Sequence, residues 1–382
     1  MFIKKIISVI LPLLVYSKKF IITLNSDKPT IYEESNFFME ESDNIVETFS
    51  IGDFSGYIME YSEFPIHLYS YSMISRIEED QEVNLYRKKK IWKEDFEEYG
   101  YYRQTDPTWG LDRIDQRSNV LNKQYFYDTT SGKNVNAFIV DTGIDVSHPE
   151  FEGRAIHGIN TVDTIDTDCN SHGTHVAGTI GSKTFGVAKQ VTLYAVKVLD
   201  CRGSGSFSGI LKGFEYVAEI HTKQGKQSVI NMSLGGPKSE SINMGVSELL
   251  KKGIHVVVAA GNENQDACNV SPASGSIISD IISVGATTDS SEMAGFSNYG
   301  KCVSVLAPGQ DIESTVPGKK TTQMSGTSMA SPHVAGVVAL YLGEKGFVST
   351  SEMKNRLVEM STKNSIKNVK KDTQNALLFS LL

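Results

Sequence analysis

Ser325-Gly326-Thr327-Ser328-Met329-Ala330-Ser331-Pro332-His333, followed by the apolar stretch Val334 to Leu342, is the part of this 382-residue chain on which its reading turns. Ser328 stands among small residues with an almost wholly apolar segment after it. That pattern describes a hydroxyl held at the start of a buried helix, packed on one side and open to a ligand on the other. Pro332 agrees, because proline is tolerated in the first turn of a helix, where its missing N–H loses no partner. Alone, the run reads equally well as a Gly/Ser turn capping a core helix.

Two further islands weigh against the bland reading. Asn136-Ala137-Phe138-Ile139-Val140-Asp141-Thr142-Gly143-Ile144-Asp145 is an apolar run ending in a carboxylate and a glycine turn, as when a buried strand delivers an acid to the rim of a sheet. Asn170-Ser171-His172-Gly173-Thr174-His175-Val176-Ala177-Gly178 places a histidine after polar capping residues and before a helix of small residues. A hydroxyl is a weak nucleophile at neutral pH and needs an adjacent base. The base needs a carboxylate to fix its tautomer and stabilise its charged form. Asp141, His172 and Ser328 are those parts, in one of the chain orders such triads take.

The three islands resemble the subtilisin-like serine proteases, and more narrowly their proteinase K and aqualysin branch, over roughly Trp109 to the C-terminus. The resemblance implies Asp141 as orienting acid, His172 as general base and Ser328 as nucleophile. It also implies Asn262, at the end of the strand His255 to Ala260, as the amide of the oxyanion hole, with the Ser328 backbone N–H as second donor. Cys201 to Ser206 lacks bulk and could leave a strand edge open to an extended peptide, with Gly203, Ser204 and Gly205 as its binding residues. Ser233-Leu234-Gly235 resembles the family's wall of the pocket for the residue before the scissile bond, and Ala260 and Gly261 complete the binding set. Glycines there leave room for a large side chain. Neither of these wall motifs contains an acid, so a broad apolar or aromatic preference is expected.

All four cysteines, Cys169, Cys201, Cys268 and Cys302, fall in this part, and four cysteines allow three pairings. The resemblance favours Cys169 with Cys201 and Cys268 with Cys302. A metal site on Cys169 and His172 would consume the base, and His172 with His175 lacks the glutamate of a zinc-protease motif. The other six histidines read as structural. No cofactor is required. The family's structural calcium is expected to be weak or absent, because Ser304 stands where calcium-binding relatives use an aspartate and the loop Ser271–Ile278 is longer than theirs. Two glycosylation sequons begin at Asn231 and Asn269, and the segment around Asn231 is expected to be buried.

Residues 1–17 carry Lys4 and Lys5 ahead of an apolar stretch too short to span a bilayer, the shape of a signal peptide. Residues 18–105 hold 18 acidic and 10 basic side chains, so they account for the whole formal net charge of −8, while the rest of the chain nearly balances. This shift supports a domain boundary and argues against nucleic-acid binding in either part. Residues 18–100 read as a small α+β propeptide that assists folding and then inhibits, ending between 86 and 106. The basic run Arg87-Lys88-Lys89-Lys90 is a candidate cut site. Residues 101–382 read as the catalytic domain.

Within that domain, apolar runs at 135–141, 191–199, 228–234, 255–260 and 281–285 alternate with helical patterns near His172 and at 208–221, 241–252 and 328–342. Alternation of this kind predicts α/β architecture, a mainly parallel sheet between two helical layers. A further helix is expected at 351–360 and a closing strand at 377–382. The expected protein is a secreted serine endopeptidase acting on polypeptides, made as a self-inhibited zymogen and monomeric when mature. It would have no stable membrane span, and would work outside the cell or in a lytic compartment. The competing readings are an inactive peptide-binding protein of the same fold and an exopeptidase.

Overall fold

A computed structural model of the chain describes residues 17–25, 37–83, 95–98 and 101–380, with the backbone alone at 82–83 and 95–98. The signal segment and the Arg87–Lys90 run lie outside the described residues, as do Leu381 and Leu382. The chain divides into two compact units. One comprises the chain to Thr48 with Gly56–Asp80, and the other Phe49–Ser55 with Gln81 onward.

Four strands, most of whose residues belong to the smaller unit, form one sheet: β1 (Lys18–Leu24), β2 (Ile45–Ile51), β3 (Phe54–Tyr61) and β4 (Ile74–Glu79), in the order β2-β3-β1-β4. Strand β1 runs antiparallel to both β3 and β4. Alternate residues face one side, where Phe20, Ile22, Phe37, Tyr57, Met59 and Leu68 form its core.

The larger unit is built on nine strands. They are β5 (Asn136–Asp141), β6 (Ala155–Asn160), β7 (Thr192–Lys197), β8 (Ser228–Met232), β9 (His255–Ala259), β10 (Ile282–Thr287), β11 (Val305–Pro308), β12 (Thr362–Lys363) and β13 (Ala376–Leu377). Their order is β6-β7-β5-β8-β9-β10-β11-β13-β12, and every pairing is parallel except the last. Every residue of β5, β8 and β9 is buried. A strand covered on both faces cannot alternate apolar with polar, so these segments read as continuous apolar runs.

Five helices cover the sheet: α1 (His172–Gly181), α2 (Phe207–Gln224), α3 (Glu240–Lys251), α4 (Thr327–Lys345) and α5 (Thr350–Met360). Helix α1 packs with α4, and α2 with α3, so the sheet lies between two helical layers. Helices α2 and α3 are amphipathic and begin at Ser206 and Ser239, whose hydroxyls accept from the N–H of Gly209 and Ile242. Helix α4 is different: it is buried from Thr327 through Leu340 on all sides, which requires it to be apolar all round. Among the described residues no helix is long and apolar enough to cross a membrane.

Several elements depart from the expected pattern, among them the edge strands Ala155–Asn160 and Thr362–Lys363. A strand at Val305–Pro308 joins the sheet beyond Ile282–Thr287, and Ile312–Val316 pairs with Lys320–Met324 as a hairpin. The closing strand is confined to Ala376–Leu377, held parallel to Leu306 and antiparallel to Thr362–Lys363. Helix α1 lies against the Ile312–Val316 strand so closely that a Cβ on Gly178 would sit 2.2 Å from Thr315 Oγ1 and 2.3 Å from Ser314 Oγ. Gly178→Ala should therefore destabilise the protein by about 1–3 kcal/mol through overpacking. Thermal melts of an inactive Ser328→Ala background would read this, and an unchanged midpoint would contradict the packing described.

Candidate active site

The parallel strands β5, β8 and β9 all end on one side of the sheet, and the candidate residues gather there, as in other crevices of open α/β sheets. Asp141 is the last residue of β5, and His172 the first of α1. His172 Nδ1 lies 2.8 Å and 3.0 Å from the two carboxylate oxygens of Asp141, and both side chains are fully buried. An acceptor at Nδ1 puts the ring proton there, so Nε2 carries a lone pair. Nε2 is buried and has no hydrogen-bond partner within the protein.

The pair is held by an acid the motifs did not single out. Asp168 is buried, and its Oδ1 accepts from Asn170 N, Ser171 N and Thr142 Oγ1 at 2.8–2.9 Å. Its Oδ2 accepts from Thr174 N at 2.9 Å and Thr174 Oγ1 at 2.6 Å. Thr142 Oγ1 in turn accepts from Gly173 N at 2.9 Å. One carboxylate thus ties the residue after Asp141 to the residues flanking His172. It supplies acceptors to N–H groups that the start of a helix leaves unpaired.

Ser328 is the second residue of α4 and is 1% exposed. Its hydroxyl donates to Ser233 O at 3.0 Å rather than to His172. The backbone beneath is fixed by polar bonds: Ser233 Oγ donates to Ser328 O at 2.8 Å, Asn231 Nδ2 to Ser233 Oγ at 2.9 Å, and Ser331 Oγ to Asn231 Oδ1 at 2.8 Å. Asn231 is 1% exposed, which closes its sequon to sugar in the folded protein, whereas Asn269 is exposed.

Asn262 sits beside this serine. Its Oδ1 accepts from Thr327 N at 2.9 Å and Thr327 Oγ1 at 2.7 Å. Two donors on one atom settle which end of the amide is oxygen. Asn262 Nδ2 is left buried and unpartnered, like His172 Nε2. A buried donor and a buried acceptor without partners each cost on the order of 1–3 kcal/mol, so both suit a site whose ligand completes the bonding.

A cavity of about 340 Å³ opens at Ser328, lined by Leu234, Gly235, Ala259, Gly261, Thr327 and Ser271 among others. Gly235 and Gly261 face it as the sequence suggests. Ala260 does not: it is fully buried, its carbonyl accepts from Asn298 Nδ2 at 3.0 Å, and Ala259 takes its place in the lining. Alternate residues of an extended chain face opposite ways, so a wall that contains 259 and 261 excludes 260. Glu263 also lines the cavity, its Oε2 accepting from Asn298 Nδ2 at 2.7 Å. The wall motifs lacked an acid because Glu263 follows Asn262, outside them.

Gly203, Ser204 and Gly205 lie apart from this cavity. Gly203 and Ser204 turn over Asp200, with Asp200 N donating to Ser204 O at 2.8 Å. Gly205–Ser206 pairs antiparallel with Glu82–Val83, so this edge already accepts an extended segment of the chain. Disulfides join Cys169 to Cys201 and Cys268 to Cys302. Of the other histidines, His333 is fully buried, and burial pushes its imidazole down to about 4 despite a bond from Nδ1 to Met329 O at 2.9 Å. It stays neutral and inside α4. His175 Nε2 lies 2.9 Å from Ile312 O and 3.0 Å from Thr322 O, fixing the hairpin to α1.

Residues 132–377 match the subtilase family model. The chain is 47% identical over 281 residues to an extracellular serine proteinase of Thermus sp. (strain Rt41A), covering 72% of this chain and 67% of that protein. It is 39% identical over 375 residues to cerevisin of Saccharomyces cerevisiae, covering 91% of this chain and 56% of cerevisin. A cold-adapted subtilisin-like serine proteinase of known crystal structure superposes with a TM-score of 0.68 at 42% identity, over 73% of this chain and all of that one. The aligned region thus spans between 56% and 67% of the two curated relatives' lengths.

The Asp168 network yields a test. Asp168→Asn keeps the shape but turns one end from acceptor to donor, facing N–H groups that the carboxylate now satisfies. The expected loss is about 2–4 kcal/mol of unfolding free energy in a denaturant titration. A variant as stable as the parent would show that Asp168 is not what holds the entrance of α1.

Proposed function

This chain belongs to the subtilase family, and on that premise we propose that it is a serine endopeptidase working through an acyl-enzyme. Ser328 Oγ turns from Ser233 O toward His172 Nε2 and attacks the substrate carbonyl while Nε2 takes its proton. Catalytic hydrogen bonds often tighten only when substrate is bound. Asp141 holds the Nδ1 proton and stabilises the imidazolium. The developing oxyanion is met by Asn262 Nδ2 and the Ser328 N–H. His172 then gives its proton to the leaving amine, and water repeats the sequence to release the acyl group.

The observation that carries this reading is the pair of buried, unpartnered atoms, His172 Nε2 and Asn262 Nδ2, each locked from behind by a buried partner. A peptide-binding protein has no use for a base held in one tautomer. Leu234, Gly235 and Ala259 in the cavity support an apolar or aromatic residue before the cut, and Glu263 adds an acid that a basic side chain could meet. A self-inhibited precursor is supported by the Glu82–Val83 pairing at the Gly205 edge, which occupies the edge an extended substrate would use. Two disulfides suit secretion or a secretory compartment.

A fluorophosphonate should label the processed protein and leave Ser328→Ala unlabelled. No labelling of processed wild type would favour the inactive peptide-binding reading, and failure to cut a peptide blocked at both ends would favour an exopeptidase. Asn262→Leu should lower kcat roughly a hundredfold or more with KM little changed, the size of effect established for one such donor in a member of this family. A rate equal to wild type would remove Asn262 from the mechanism.

A further inference from the structure

The family resemblance brings an expectation of calcium at the loop Ser271–Ile278, and the residues there do not fit it. Ser304 stands where the resemblance expects an aspartate. Its hydroxyl is engaged within the sheet, accepting from Ser283 N at 3.2 Å and donating to Ile281 O at 3.5 Å. Calcium wants six to eight oxygens, several of them charged. The nearby carboxylate, Asp280, accepts from Thr350 Oγ1 at 2.9 Å. Among the described residues the only cluster of three acidic, cysteine or histidine ligand atoms is Asp163 with Cys169 and Cys201, whose sulfurs are bonded to each other.

The loop carbonyls already have a cation. Lys354, on helix α5, reaches across to Ser276 O at 2.7 Å and Ser279 O at 2.8 Å. These are charge-assisted bonds to a half-buried ammonium, stronger than neutral ones. Burial lowers the Lys354 pKa, and Asp280 opposes that shift. The same loop is tied to the next strand by Ser276 Oγ, which donates to Cys302 O at 2.6 Å. At its start Ser271 Oγ lies 3.1 Å from Ser239 O and 3.0 Å from Asn243 Oδ1, with one proton to donate between them, and Ser271 lines the cavity at Ser328.

We propose that the Lys354 ammonium is the resident cation of this loop, standing in for a metal and keeping one wall of the cavity ordered without calcium. An ammonium is covalently tethered and cannot be chelated away. It also repels a divalent ion from the two carbonyls it occupies. The inference rests on family membership and on Lys354, not on peptidase activity, so it survives or fails independently of the proposed reaction.

Hydrogen exchange of the amides of residues 273–282 tests it, in the Ser328→Ala full chain, with EDTA and with excess calcium chloride. Exchange in this parent should be the same in both. Lys354→Met, which keeps the aliphatic stem, should exchange roughly tenfold faster over the loop, with Lys354→Arg returning toward the parent. Slower loop exchange of the parent in calcium would overturn the proposal, and that measurement needs no change at Lys354. Unchanged loop exchange in Lys354→Met would overturn it equally.

Discussion

The buried carboxylate of Asp168 is the constraint around which the site is organised. A helix that begins inside a protein presents N–H groups with no water to satisfy them. Asp168 accepts from two of them, at Ser171 and Thr174, from the N–H of Asn170 just before, and from two threonine hydroxyls, one next to Asp141 and the other on α1. The separation of Asp141 from His172 is therefore set by bonds to a third side chain, not by their own contact alone. A 2.8 Å hydrogen bond between two fully buried groups tolerates little drift, and this frame removes it.

The same logic recurs on the other side of the cleft with neutral groups. Thr327 holds Asn262 by its oxygen, and the Asn231–Ser233–Ser331 network holds the backbone of Ser328. In both places an interior polar group is fully paired on its rear side and open on its front. Helices α1 and α4 then fix the two halves relative to each other by packing, with Gly178 as the close-approach point on the hairpin side. Rigidity at the site is bought by small residues and hydrogen bonds that lie behind it.

Much of this was legible because burial leaves a pattern. Strands covered on both faces show as unbroken apolar runs, and Asp141, His172, Asn262 and Ser328 each stand where a run begins or ends. Asp168 was not legible, since it lies among Asp163 and Asp166 in a loop where acids usually face water. Nothing in the chain distinguishes the one that is buried. Glu263 escaped because it follows the motif instead of belonging to it, and Ala260 was misplaced because a motif does not say which way alternate residues face. Lys354 is 78 residues from Ser276, a separation at which side-chain pairing leaves no local periodicity.

The interior position of Asn231 has a consequence for biogenesis. The sequon is accessible only while the chain is unfolded. An oligosaccharide attached then would take the amide that donates to Ser233 Oγ and would have no room beneath Ser328. In any compartment that glycosylates nascent chains, strand β8 is in a race between closure of the sheet and the transferase. A chain that loses the race is a dead-end product, recognisable by its sugar.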